Sequence, residues 1–206
     1  MHAIPPGHGP AILIPGAPLL VPELVGSPGD PEAERVRAAV LAAGHWLGER
    51  AGSWRVVGPE PVTSFDGVGT FVGFGADVLV TGAPGEASKG ARPDPAWPLP
   101  LLLAAWLRGI SAPSARIVGP REPADGTVFV LDGPNTLTER APGGHRPEDL
   151  EVFAAQVSAV RDGANVDDLE PAWAVAAGVL RGGQVDVLYQ GAPFGVGYLV
   201  ATGGAR

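Results

Sequence analysis

Four histidines, and a few carboxylates placed just after apolar runs, are the residues of this chain with most chemistry to offer. A site of two imidazoles and one carboxylate needs two histidines at loop positions that converge on one point. His2 and His8 lie in a Pro- and Gly-rich leader and read as surface residues, and His45 falls within a helical pattern, off its apolar stripe. His145 differs from these, because it lies in a long loop after the strongest apolar run, where functional groups collect. In open α/β sheets ligands bind beyond the carboxyl ends of the strands, so the acids that follow the apolar runs matter most. These are Glu23, Glu60 and Asp132. Each also has a purely structural reading: Asp132-Gly133 as an Asx turn, Glu60 as a solvated loop acid, Glu23 as the cap of a short turn.

Other chemistries lack their residues. With no cysteine, thiolate metal sites, disulfides and cysteine nucleophiles are excluded. No Gly-x-x-x-x-Gly-Lys-Ser/Thr loop occurs, and Gly67-Val68-Gly69 lacks the third glycine of a dinucleotide fingerprint. No serine sits in a Gly-x-Ser-x-Gly elbow, which disfavours a serine hydrolase.

The elements that must position these residues alternate between short β-branched runs and longer helical patterns. That alternation predicts an α/β fold with a largely parallel central sheet flanked by helices. Strands are expected at residues 11–15, 54–58, 71–74, 77–81, 116–118, 127–131, 185–189 and 196–202. Asp30-Pro31-Glu32 supplies a helix cap, a first-turn proline and a first-turn acid. Val36, Val40, Ala43 and Leu47 then recur on one face, with Gly52 as the stop. Residues 97–107 are apolar on all sides, as in a helix buried all round, and Gly109 would end it. Pro147-Glu148-Asp149 opens a further helix with Leu150, Phe153, Ala154, Val157 and Val160 on one face and Gly163 beyond it. Asp167 or Asp168 would cap a last helix running to about Val179. Residues 132–146 carry no periodicity and read as a long loop.

At 206 residues, with 45% apolar and 17% charged side chains, the chain is expected to form a single domain, residues 1–10 being a flexible leader. Its 31 glycines and 23 prolines fall between apolar runs, as loop residues do, so disorder is not implied. The charge of −8 and the single lysine, Lys89, argue against a nucleic-acid partner, which needs a clustered cationic face. A membrane is disfavoured too. The longest nearly apolar stretch, residues 96–107, is about half the roughly 20 residues that a spanning helix requires. The N-terminus lacks the cationic start and apolar run of a secretion signal, so a cytoplasmic location is expected.

Three segments together carry a resemblance: Ile14-Pro-Gly-Ala-Pro-Leu-Leu-Val-Pro-Glu-Leu24, Leu131-Asp-Gly-Pro-Asn-Thr-Leu-Thr-Glu-Arg-Ala-Pro-Gly143 and Ala192-Pro-Phe-Gly-Val-Gly-Tyr-Leu-Val-Ala201. In this order they resemble the class III extradiol ring-cleavage dioxygenase superfamily and its subunit-B-like fold, most closely a short actinobacterial branch of it. The Arg-rich, Lys-poor composition suits a high-GC genome. The resemblance implies iron(II) held by two histidines and a glutamate, with a further histidine as acid/base near bound oxygen.

The chain departs from that pattern at each ligand position. Where metal-binding relatives read Pro-His-x-Pro, it has Pro15-Gly16-Ala17-Pro18. After the second core strand it has Pro59-Glu60 instead of a histidine, and the segment often reading Gly-Asp-x-Ser-His is Leu131-Asp132-Gly133-Pro134-Asn135-Thr136. His8, eight residues before Gly16, would lie about 26 Å away if extended at roughly 3.3 Å per residue. One imidazole with Glu60 and Asp132 would make a poor iron(II) site, and such hard oxygen donors suit magnesium or calcium better. The expectation is therefore a dioxygenase-like protein without cofactor that binds a small molecule or a partner protein, with homo-oligomerisation or a structural role in a hetero-oligomer open. Glu60, Asp132, Asn135 and Thr136 would line its cleft, against an apolar wall from Phe194 or Tyr198. The alternative is an active metal-dependent enzyme, a dioxygenase with iron(II) on atypical ligands or a hydrolase using the carboxylates.

Overall fold

Every residue of the first strand, β1 (Pro10–Ile14), is buried, and such a strand must be covered on both faces. In the computed structural model, which describes residues 9–25, 29–60, 62, 67–85, 92–164 and 166–205, it is central. It pairs in parallel with β6 (Gly126–Val130), Ile12 opposite Val128. On its other side it pairs antiparallel with β8 (Tyr198–Gly204), Ile12 opposite Thr202. Two more strands, β2 (Ser53–Val57) and β5 (Arg116–Ile117), extend the parallel side, and β7 (Asp186–Gly191) extends the antiparallel side. The six-stranded sheet runs β5-β2-β6-β1-β8-β7 and is mostly parallel. A separate two-stranded sheet joins β3 (Val68–Thr70) to β4 (Leu79–Thr81).

The period-two alternation of the strands sorts side chains into two cores. Ile12, Ile14, Val128, Val130 and Val200 face α1 (Pro31–Gly48) and α2 (Leu99–Ser111). Ala11, Leu13, Phe129, Leu131 and Leu199 face α3 (Asp149–Asp162) and α4 (Pro171–Leu180). Helices thus flank the sheet on both sides. Among the described residues no helix is long and apolar enough to cross a membrane.

Helix α1 follows its sequence signals closely. The Asp30 carboxylate accepts from the Glu32 and Ala33 N–H groups, and Val36, Val40, Ala43 and Leu47 are fully buried. Helix α2 is buried continuously from Leu101 to Arg108, as its uninterrupted apolar run implies. It passes through exposed Gly109 and ends at Ser111, because Ala112 leaves helical geometry before Pro113.

Several expectations are corrected. Residues 71–74 form no strand; Val72–Phe74 is a 3-10 turn that follows β3. Its cause is local: the Thr70 hydroxyl accepts from the Val72 N–H at 3.1 Å, and Gly75 takes a positive φ of 96°. On α3, Leu150 and Ala154 are exposed, while Gln156 and Ala159 are buried beside Phe153, Val157 and Val160. The docked face is rotated from the most apolar one, and Gly163, at φ 76°, ends the helix. The residue at the cap position of α4 is Glu170, while Asp167 and Asp168 belong to the 3-10 turn Val166–Asp168. Pro171 sets that start, since it lacks the N–H that a first helical residue does not need. Pro10, expected in the leader, belongs to β1 and is buried, and residues 1–8 of that leader lie outside the described residues.

One buried cation shapes the segment that follows β1. The Arg37 guanidinium, on α1, donates to the Leu19 and Leu20 carbonyls at 3.0 Å each and pairs with exposed Glu34. Replacing Arg37 by methionine keeps the apolar stem and strips both carbonyls of their donor. Chemical denaturation is expected to read a loss of about 1–3 kcal/mol, whereas an unchanged midpoint would assign no structural weight to these bonds.

Candidate functional site

Parallel strands open a crevice where two neighbours send their connections to opposite faces of the sheet. Strands β1 and β6 do this: the chain leaves β1 toward α1, on one face, and leaves β6 toward α3, on the other. The ladder is prolonged by one bond, Leu131 N–H to the Ile14 carbonyl at 3.0 Å. Beyond it the Gly16 N–H donates to Asp132 Oδ1 at 3.0 Å, linking the two strand ends across the crevice. The end of β2 brings Pro59 and Glu60 alongside.

Two helix starts complete the walls. Pro98, Leu99 and Pro100 open α2, and Glu170, Pro171, Ala172 and Trp173 open α4. A glycine is needed beneath α2, because a Cβ on Gly58 would stand 2.7 Å from Pro100 Cγ. The resulting cleft is about 790 Å³, within the range of small-molecule sites.

Asp132 is the most tightly placed polar group in the cleft. The Trp173 indole N–H donates to its carbonyl at 3.3 Å, and the Gly16 N–H holds one carboxylate oxygen. A Cβ at position 16 would lie 3.0 Å from Oδ2 of Asp132 and would press against the carboxylate. Solvent reaches the carboxyl from the cleft, while protein around its other sides removes hydration and pushes its pKa up to about 6. The Gly16 N–H works the other way, favouring the ionised form. Tyr198, on β8, is buried, and its phenol is pushed up by that burial and then by the negative charge of Asp132.

Of the four expected cleft residues, Glu60 and Asp132 line the same cleft, and Asn135 and Thr136 do not. After Asp132 the loop turns away, pairing Gly133 N–H with the Gly197 carbonyl at 2.8 Å and Leu137 N–H with that of Gly195 at 3.0 Å. This carries Thr136 into the interior, where its hydroxyl donates to the Asp149 carboxylate at the start of α3. Asn135 is exposed, and its carbonyl accepts from the Gly143 N–H. Tyr198 and Phe194 pack with the α1/α2 core and not along the cleft. Glu23 is exposed on the 3-10 turn Pro22–Leu24, outside the cleft. Sequence reasoning missed Glu170, Trp173 and the start of α2. The Glu170-Pro171 pair carried the usable signal, a polar residue before a first-turn proline.

The iron(II) implied by the resemblance does not fit these donors. Among the described residues no group of three or more His, Cys, Asp or Glu side chains is placed to hold a metal ion. His45 sits at the far end of α1, its Nδ1 3.1 Å from the Ser111 carbonyl, and His145 is exposed outside the cleft. His2 and His8 lie outside the described residues. No family model matches the chain, and no curated protein is significantly similar to it.

The raised proton affinity of Asp132 has a measurable consequence. Carbon-13 NMR of its carboxyl is expected to show titration near pH 6, against an ordinary value of 3.8. The folded state holds this proton more tightly than the unfolded chain does. Its contribution to stability is therefore full below about pH 4 and lost as pH rises through about 6. Asp132→Asn should flatten that part of the stability profile; a titration at the ordinary value would refute the assigned environment.

Proposed function

We propose that this chain is a dioxygenase-like small-molecule-binding protein, a relative of the class III extradiol enzymes with a subunit-B-like fold, that does not perform iron-dependent ring cleavage. The six-stranded, mostly parallel sheet flanked by helices is compatible with that fold. A cleft at the carboxyl ends of β1, β2 and β6 is the binding site in this reading, a place where α/β sheets commonly hold ligands.

The observation that carries the proposal is the contact between Gly16 and Asp132. At the position where metal-binding relatives offer an imidazole, this chain has no side chain, and the Asp132 carboxylate leans over the vacated backbone. An acid bonded there serves as a hydrogen-bond acceptor for a ligand more readily than as one arm of a nitrogen-rich iron site. The apolar walls around it supply buried area, and the few polar groups supply orientation.

Anaerobic titration with iron(II), followed by catechol and oxygen, is the experiment. Neither stoichiometric iron binding nor a coloured ring-opened product is expected. In a parallel fragment screen, amide signals of Gly16, Glu60 and Asp132 are expected to move together. Tight iron binding with catechol turnover would overturn the proposal.

A second reading, a hydrolase that uses the cleft carboxylates, is favoured by one property of Asp132. A carboxyl that titrates near pH 6 suits general acid–base catalysis close to neutrality. A hydrolytic activity abolished by Asp132→Asn, with binding retained, would decide for it.

A further inference from the structure

We propose that the ligand of this cleft is an organic cation, an ammonium group carried on an apolar body. The inference rests on the small-molecule-binding reading above and adds the chemical class of the ligand. The walls are largely hydrocarbon: Pro59, Pro98, Leu99, Pro100, Pro171 and Ala172. Four of these six are prolines, whose fixed φ holds the walls in place before a ligand arrives and lowers the ordering cost of binding. Among the described residues, the ionisable side chains that line the cleft are acidic, Glu60, Asp132 and Glu170, with no lysine, arginine or histidine.

The starts of α2 and α4 also face the cleft, and helix starts attract anions. The balance can be weighed. Each helix end carries roughly half a positive charge, so two of them are outweighed by three carboxylates. Pro100 and Pro171 reduce the pull on an anion further, since neither has an N–H to donate. An anionic ligand would meet net repulsion here, and a cation would meet attraction across low-dielectric walls.

The kind of cation follows from the geometry at Asp132. Its Oδ1 accepts one bond from the Gly16 N–H, and the remaining lone pairs of the carboxylate are acceptors for a ligand. A carboxylate at the base of an apolar cleft pairs with a compact ammonium, whose three donors can meet it from any direction. A bare metal ion would need several ligands on one point, and the described residues offer no such group.

Three probes of equal size, differing in charge, test this on the full chain at pH 7: benzylamine, benzyl alcohol and benzoate, followed by nitrogen-15 NMR. Benzylamine is expected to shift the Gly16, Leu99 and Asp132 amides saturably, benzyl alcohol more weakly, and benzoate not at all. Asp132→Asn should weaken benzylamine roughly tenfold or more, and Glu23→Gln, an exposed acid outside the cleft, should leave it unchanged. Should Asp132→Asn fold poorly, the double variant Glu60→Gln/Glu170→Gln, at two exposed positions, is expected to weaken benzylamine in the same direction. Benzoate binding as tightly as benzylamine, or benzylamine indifferent to these variants, would overturn the cationic ligand and leave the binding cleft standing. If none of the probes moves the cleft amides, both the ligand class and the small-molecule reading fall.

Discussion

The bond from the Gly16 N–H to the Asp132 carboxylate is the constraint on which the cleft depends, because it ties together two adjacent strand ends whose chains depart in opposite directions. The floor of the crevice is made of this backbone and the Asp132 carboxylate. The Trp173 indole reaches the same residue from α4, so three elements converge on Asp132. Desolvation by the surrounding protein raises the proton affinity of that carboxyl, and the Gly16 N–H opposes the rise in part.

Around this point, polar groups act mainly as anchors for loops. Arg37 draws the Leu19 and Leu20 carbonyls against α1 and so sets the path of the chain that leaves β1. Arg108, buried near the end of α2, donates to the carbonyls of Thr81, Pro113 and Ala115, joining β4 to the approach to β5. Both are guanidiniums, whose several donors in one plane can gather carbonyls from different segments. A chain with a single lysine has placed its buried cations where geometry counts for more than charge.

Legibility in the sequence varied with how local the deciding interaction was. The cap at Asp30 and the stripe of α1 involve neighbours within a few residues, and both were readable. The end of α3 at Gly163 was readable for the same reason. The rotated face of α3 was not, since Leu150 is left exposed and Gln156 buried by what the helix packs against, not by its own pattern. Residues 71–74 misled because an apolar composition hid the bond that the Val72 N–H donates to the Thr70 hydroxyl, which accompanies the turn. Glu60 and Asp132 were found by the rule that acids beyond strand ends face a crevice. Asn135 and Thr136 were misplaced because pairing with residues 195–197 steers the loop elsewhere.

By itself, then, the sequence determined most of the helices and sheet strands in their order, and the absence of cysteine and of clustered cationic residues, because these follow from composition and short-range periodicity. It also determined which residues follow each strand. Only the tertiary structure decided which of those residues meet: that Glu170 and the start of α2 join Glu60 and Asp132 around one cleft, and that Thr136 turns inward. Such encounters depend on strand order and on the face to which each connection departs, and those are set by the packing of segments far apart in the chain.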